Sequence, residues 1–297
     1  MCDHDSFDDI VKYQVRSGLS RRTFGALTVG VGVAAVLPPA AGAATVTEAA
    51  MVNEVYVTIK TADGTADAYF VHPERGQHPG VLIWPDIFGL RPAFRQMGKR
   101  LAESGYSVLV VNPFYRVKKA PTAPEKADFD DPATRAALLA LAGGLSAQTA
   151  EVDAKAFIGW LDAQPAVDQK RKLGTTGYCM GGPLTLRTAA AVPGRVGAGA
   201  SFHGGGLVTD KPDSPHLLIP KIRAHYLFAI AANDDQRQPD AKNVLREAFA
   251  KAKLPAEIEV YAGTLHGWCP PDAKVYDHDQ AEKAWSRLLA LLKEALT

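Results

Sequence analysis

From residue 55 to the end of the 297-residue chain, short runs of apolar and β-branched residues alternate with longer stretches of mixed polarity. Residues 55–59 and 68–71 flank Asp63-Gly64, which predicts an opening hairpin with a tight turn. Buried strands are predicted over 81–84, 107–111, 173–177, 196–202, 225–231 and 257–261. Between them, 92–103, 148–163, 182–191, 239–251 and 279–295 have the length and mixed faces of helices. This alternation predicts an α/β fold, with a mainly parallel central sheet covered by helices on both faces. Residues 116–146 break the rhythm with Lys118-Lys119, prolines, acidic residues and an Ala/Leu stretch, so a loop or small helical insertion is expected there.

The first 43 residues follow a different pattern. Ser20-Arg21-Arg22-Thr23-Phe24 opens an apolar run over 24–37, and no charged residue occurs from 23 to 47. A run of 14 residues is too short for a bilayer core, which needs about 20. Ala41-Gly42-Ala43 then offers the small-x-small pattern of a cleavage site. The segment resembles a bacterial twin-arginine export signal. That resemblance implies a leader over 1–43, a catalytic domain over 44–297 and export machinery as partner of the precursor. It also implies a periplasmic or secreted destination without a stable membrane anchor.

Charge narrows the function classes. Thirty-three Lys+Arg against 32 Asp+Glu leave a net charge of +1, with no sustained basic block, which argues against nucleic acid or anionic lipid as partner. Three cysteines are too few for a disulfide scaffold, and none has zinc-ligand spacing. The pattern calls for neither a metal nor a cofactor.

The chemistry concentrates around Cys179. Gly177-Tyr178-Cys179-Met180-Gly181 stands between a predicted strand and a predicted helix. A nucleophile on so cramped a turn needs small residues two positions before and after it. The following helix N-terminus supplies backbone N–H groups and partial positive charge, which favours a Cys179 thiolate and an oxyanion beside the Met180 N–H. Downstream, 225–231 leads into Asn233-Asp234-Asp235, and 257–261 leads into Gly263-Thr264-Leu265-His266-Gly267. Parallel strands present their carboxyl ends together, so Cys179, an aspartate and His266 are expected on one edge. Nucleophile, acid and histidine in this chain order suit an α/β-hydrolase.

These motifs, over roughly residues 50–297, resemble the dienelactone hydrolase family, α/β-hydrolases with a cysteine nucleophile. The resemblance implies an ester or lactone hydrolase working through a Cys179–His266–Asp235 triad and a thioester, on a small-molecule substrate. Asp235 is preferred because Pro239 follows it by four residues; Asp234 is the alternative. Trp84-Pro-Asp86-Ile87-Phe88-Gly89 resembles the segment in which an acidic residue contacts the resting thiol and the next N–H completes the oxyanion hole. Asp86 and Ile87 take those roles by resemblance, with aspartate where the family usually carries glutamate. Asn112-Pro-Phe-Tyr115-Arg116 resembles the segment with a substrate-carboxylate arginine, which nominates Arg116. No arginine follows His266 closely, so selection for a dianionic lactone is expected to be weaker. Trp268 is a candidate pocket wall, and His203-Gly204-Gly205-Gly206 reads as a mobile turn beside the site. Cys269, three residues after His266, is a possible disulfide partner of Cys179. The alternative from another class is a non-catalytic relative that binds a ligand or senses redox state through its thiol.

Overall fold

The computed structural model describes residues 51–297. The proposed leader therefore lies outside the described residues. Eight strands form one sheet in the order β1-β2-β4-β3-β5-β6-β7-β8. The hairpin of β1 (Val52–Thr61) and β2 (Gly64–Pro73) is antiparallel and joins β4 (Ser107–Val111) antiparallel. From β4 outward the pairing is parallel, through β3 (Gly80–Trp84), β5 (Leu173–Tyr178), β6 (Val196–Phe202), β7 (His225–Ala231) and β8 (Ala256–Tyr261).

Every residue of β3, β4, β5 and β6 is buried, as central parallel strands require when helices cover both faces. Alternation decides which face each side chain serves. Leu82 and Leu109 pack with Phe157 and Leu161 of α3 (Ala147–Asp162) and with Leu184 and Leu186 of α4 (Gly181–Ala191). Phe249 of α6 (Ala241–Ala252) completes that layer. Val81, Ile83, Val108 and Val110 instead meet Phe94 and Leu101 of α1 (Pro92–Glu103) and Leu288 and Leu292 of α7 (His278–Ala295). Each such full burial contributes roughly 1.5–3 kcal/mol before entropy is counted.

One element is absent from the sequence reading: a short α5 (Ala232–Arg237) leaves β7 directly, ahead of α6, which occupies the helix expected over 239–251. The irregular stretch 116–146 contains α2 (Pro132–Ala142), capped by Asp131, whose carboxylate accepts the Thr134 N–H at 2.7 Å. Leu138 of α2 is buried against Ile87, Cys179 and Met180, so this insertion covers the carboxyl edge of the sheet. Lys274, in the segment after His266, reaches Asp128 at 2.5 Å and Asp130 at 3.2 Å and ties that cover down.

Candidate active site

The strands β3, β5, β6, β7 and β8 are neighbours and end on the same edge. Their exits carry Asp86 and Ile87, Cys179, His203, Asn233 and Asp234, and His266 in turn. Cys179 sits at φ +53°, the left-handed region that costs a non-glycine residue energy, between the end of β5 and the start of α4. Two glycines make the turn sterically possible. A Cβ at Gly177 would lie 2.0 Å from the Gly181 carbonyl oxygen, and one at Gly181 would lie 2.4 Å from the Trp84 carbonyl oxygen. The second contact packs the start of α4 onto the end of β3. Ile87, Cys179 and Met180 thereby gather in one buried cluster. The Ile87 N–H donates to no group among the described residues, which suits a donor waiting for an oxyanion.

His203 holds the elbow from the neighbouring strand. The Cys179 N–H donates to the Phe202 carbonyl at 3.1 Å and to His203 Nδ1 at 3.1 Å. Because Nδ1 accepts, the His203 proton belongs on Nε2, which is buried without a partner among the described residues. Burial, and then the nearby His266, push the His203 pKa well below its usual value and keep the ring neutral. The segment expected to be a mobile turn therefore begins with a fully buried residue, held at φ +40°. Its ring meets the His266 ring edge to face at 5.2 Å. Cys179 and His266 thus flank one imidazole.

His266 Nδ1 and Asp234 Oδ2 are 2.8 Å apart. The other oxygen, Asp234 Oδ1, accepts from Arg237. The His266 N–H donates to Asn233 Oδ1 at 2.8 Å, and the Ala232 N–H donates to Thr264 Oγ1 at 3.3 Å, which lock the two loops together. The sequence preference for Asp235 is corrected here, because its carboxylate meets the Lys242 ammonium at 2.6 and 2.7 Å. The chain leaves β7 as a helical turn, in which consecutive side chains diverge by about 100°. Only one of the two adjacent aspartates can then face the imidazole. Asn233, Arg237 and Thr264 were missed in the sequence; their signal was adjacency to the acid and histidine loops.

Three further expectations meet different partners. Asp86 Oδ1 accepts from Arg91 at 2.6 Å and from the Phe88 N–H at 2.9 Å, while Oδ2 accepts from Arg91 at 2.9 Å. Arg91 also donates to Asp272 at 2.7 and 2.9 Å. The carboxylate expected against the thiol instead braces the turn that presents Ile87. Arg116, expected to meet a substrate carboxylate, is held by Asp63 at 2.5 Å and by both oxygens of Asp153 at 2.7 and 2.8 Å. The Asp153 side chain is almost wholly buried and receives the Tyr115 hydroxyl at 2.7 Å, so Arg116 neutralises an internal charge. Trp268 is fully buried between Tyr261 at 5.3 Å and His203 at 5.2 Å, so it supports the histidine loop from beneath.

Cys269 lines a separate cavity of about 310 Å³ with Met97 and Trp285, on the α1 and α7 face of the sheet. Burial pushes its thiol pKa well up, and no disulfide joins Cys269 to Cys179. The cavity that reaches the elbow is larger, about 520 Å³, within the usual size of a ligand pocket. Ile87, Met180 and Pro183 line it together with Leu139, Ala142 and Leu145 of the insertion. No cluster of His, Cys, Asp and Glu suited to a metal ion is found among the described residues.

Comparison with known proteins agrees with this architecture. A carboxymethylenebutenolidase of Rhodococcus opacus is 26% identical over 247 residues, covering 79% of this chain and 89% of that protein. A protein of Methylorubrum extorquens is 28% identical over 308 residues, covering 95% and 96%. A solved dienelactone hydrolase-like promiscuous phosphotriesterase from metagenomic libraries shares the fold, with a TM-score of 0.69 at 22% identity over 83% of this chain and 99% of that one. The profile of the Dienelactone hydrolase family matches residues 66–296, and with the α/β-hydrolase sheet and its cysteine elbow this chain belongs to that family.

Proposed function

We propose that this dienelactone hydrolase-like hydrolase cleaves carboxylic esters or lactones with Cys179 as nucleophile, His266 as acid and base, and Asp234 as the carboxylate that orients His266. The Cys179 sulfur, as thiolate, forms a bond to the acyl carbon, and the carbonyl oxygen takes the charge beside the Met180 and Ile87 N–H groups. The carbon–oxygen bond then breaks, and the alkoxide leaves with the proton carried by His266 Nε2. Water next gives that nitrogen a proton while attacking the thioester, and the acid departs as the thiolate returns. The single observation that carries the reading is the 2.8 Å contact between His266 Nδ1 and Asp234 Oδ2, made beside a cysteine held at positive φ. Nδ1 so engaged leaves Nε2 as the nitrogen available for proton transfer.

The assay is hydrolysis of p-nitrophenyl acetate by the parent chain and by Cys179→Ala and His266→Ala variants. Both substitutions abolish turnover on this reading. Undiminished turnover by Cys179→Ala would return the chain to the ligand-binding or redox-sensing alternative.

The same proposal includes export of the precursor by a twin-arginine route to the periplasm or beyond, with residues 1–43 as the leader and 44–297 as the working domain. Ser20-Arg21-Arg22-Thr23-Phe24 and Ala41-Gly42-Ala43 support it, and both lie outside the described residues. Substituting lysine for Arg21 and Arg22 and fractionating the cells tests it; unchanged export would rule it out.

A further inference from the structure

The 520 Å³ cavity at the elbow extends well beyond what a small lactone ring would occupy, and the character of its lining changes along α4. Met180, Pro183, Leu184 and Arg187 all line it and follow one another at i, i+3, i+4 and i+7, a single stripe along α4. The stripe begins apolar beside the reacting thiol and ends in a guanidinium. Seven residues at 1.5 Å rise put the Arg187 Cα about 10 Å along the axis from Met180. A long side chain on a helix leans back towards the N-terminus, so the guanidinium stands nearer than that. Across the mouth, Lys211 also lines the cavity and has no acidic partner among the described residues. Asp213 is the one acid of the lining; its carboxylate is 3.6 Å from Arg187, whose Nη2 also donates to the Asp213 carbonyl at 2.8 Å. Two cations against one carboxylate leave the mouth with a net charge of +1.

The geometry points to an elongated substrate: an acyl chain of medium length whose carbonyl reacts at Cys179 and whose far end carries an anion held by Arg187 and Lys211. This rests on the hydrolase reading above and names its substrate class. An extended chain advances roughly 1.25 Å per bond, from bonds of about 1.5 Å at about 111°. Spanning somewhat less than 10 Å therefore takes about six to eight bonds. Ile87, Leu139, Ala142 and Leu145 line the same cavity and give those methylenes apolar side chains to pack against. Arg116 does not line this cavity and is held by Asp153, so the charge selectivity proposed here rests on Arg187 and Lys211.

Binding of octanoate and octanamide to the purified chain, measured by titration calorimetry, tests the proposal without turnover. The two ligands share the same chain and a head group of nearly the same shape, and only octanoate brings a negative charge to Arg187 and Lys211. We expect octanoate to bind about tenfold more tightly, as a charge-assisted hydrogen bond in a partly buried site should allow. Arg187→Gln should bring the ratio close to one and Arg187→Lys should restore part of it. Lys211→Gln, at an exposed position that tolerates substitution, should reduce it by a smaller factor. Equal affinity in the parent chain, or a ratio untouched by both Gln variants, would overturn the proposal. In a second arm, kcat/KM for p-nitrophenyl esters should peak at six to eight acyl carbons; a maximum at acetate would also overturn it. Complete absence of ester turnover would instead strike the hydrolase reading, with the binding ratio still deciding the proposal.

Discussion

Removing the charge of Asp234 separates the two adjacent aspartates more sharply than any other substitution. In Asp234→Asn the amide keeps the shape of the side chain but loses the charge beside His266 Nδ1, now met at 2.8 Å. Charge centres about 4 Å apart in a medium of effective dielectric about 20 interact by roughly 4 kcal/mol. That interaction matters most when the imidazole is protonated, as it is when it assists the leaving group. At 1.36 kcal/mol per decade, the loss corresponds to about a 1,000-fold fall in kcat/KM. An amide nitrogen turned towards Nδ1 would also favour the wrong tautomer and deepen the loss. Asp235→Asn should cost less than about threefold in kcat/KM, because Asp235 spends its charge on Lys242 at the surface side of the same turn. Its stability cost should stay within about 1 kcal/mol, as for other partly exposed ion pairs. Initial rates on p-nitrophenyl acetate, with circular dichroism melts to verify folding, read both effects. A large loss in Asp235→Asn together with near-parent rates in Asp234→Asn would refute the assignment and the geometric reasoning behind it.

Three further outcomes follow from contacts elsewhere. Arg116→Gln leaves the buried Asp153 with only the Tyr115 hydroxyl among its close partners, at a cost of about 3 kcal/mol, so the melting temperature should drop on the order of 10 °C. A normal melt with a raised KM for anionic esters would return Arg116 to substrate binding. Gly181→Ala places a Cβ 2.4 Å from the Trp84 carbonyl oxygen and 2.7 Å from that of Pro85, both backbone atoms. It should lower stability by about 1–3 kcal/mol and activity with it, read by melts and rates; parent values of both would contradict the packing described. Buried His203 has a lowered pKa in the fold and regains the ordinary value of about 6.5 when unfolded, so the unfolded state binds more protons in the interval between. Stability must therefore fall as pH drops below about 6.5, by up to about 1.4 kcal/mol per pH unit from this group. His203→Asn, which keeps an acceptor near Nδ1 and tolerates positive φ, should flatten that slope in denaturant melts between pH 4 and 6.5; an unchanged slope would remove His203 as its source.

Much of the fold was readable because central strands buried on both faces leave unbroken apolar runs such as Val81–Trp84 and the β4 segment. The elbow was readable for a steric reason: a side chain cannot coexist with the Gly181 carbonyl at position 177, so glycine marks the turn. What escaped depends on how the chain leaves each strand. Asp234 and Asp235 are chemically identical, and only the helical path of Ala232–Arg237 turns one of them to His266. Arg116 stands where the family resemblance places it, yet the buried Asp153 lies 37 residues later on α3, and no local pattern couples the two. Asp86 is similar: five residues on, Arg91 claims both of its oxygens. His203 looked like the start of a glycine-rich loop because its partner is the backbone N–H of Cys179, on a different strand. Long-range side-chain pairing, more than strand or helix placement, is what a single sequence hid.

Mass spectrometry of the acyl-enzyme tests the central claim most directly. The chain is mixed with p-nitrophenyl acetate, quenched in acid after milliseconds to seconds, and digested for peptide mapping. One acetyl group on the peptide carrying Cys179, labile to hydroxylamine and persisting longer in His266→Ala where any acylation survives, is the predicted result. Hydrolysis proceeding at the parent rate with the label on another residue, or in a chain whose Cys179 has been alkylated beforehand, would contradict the account.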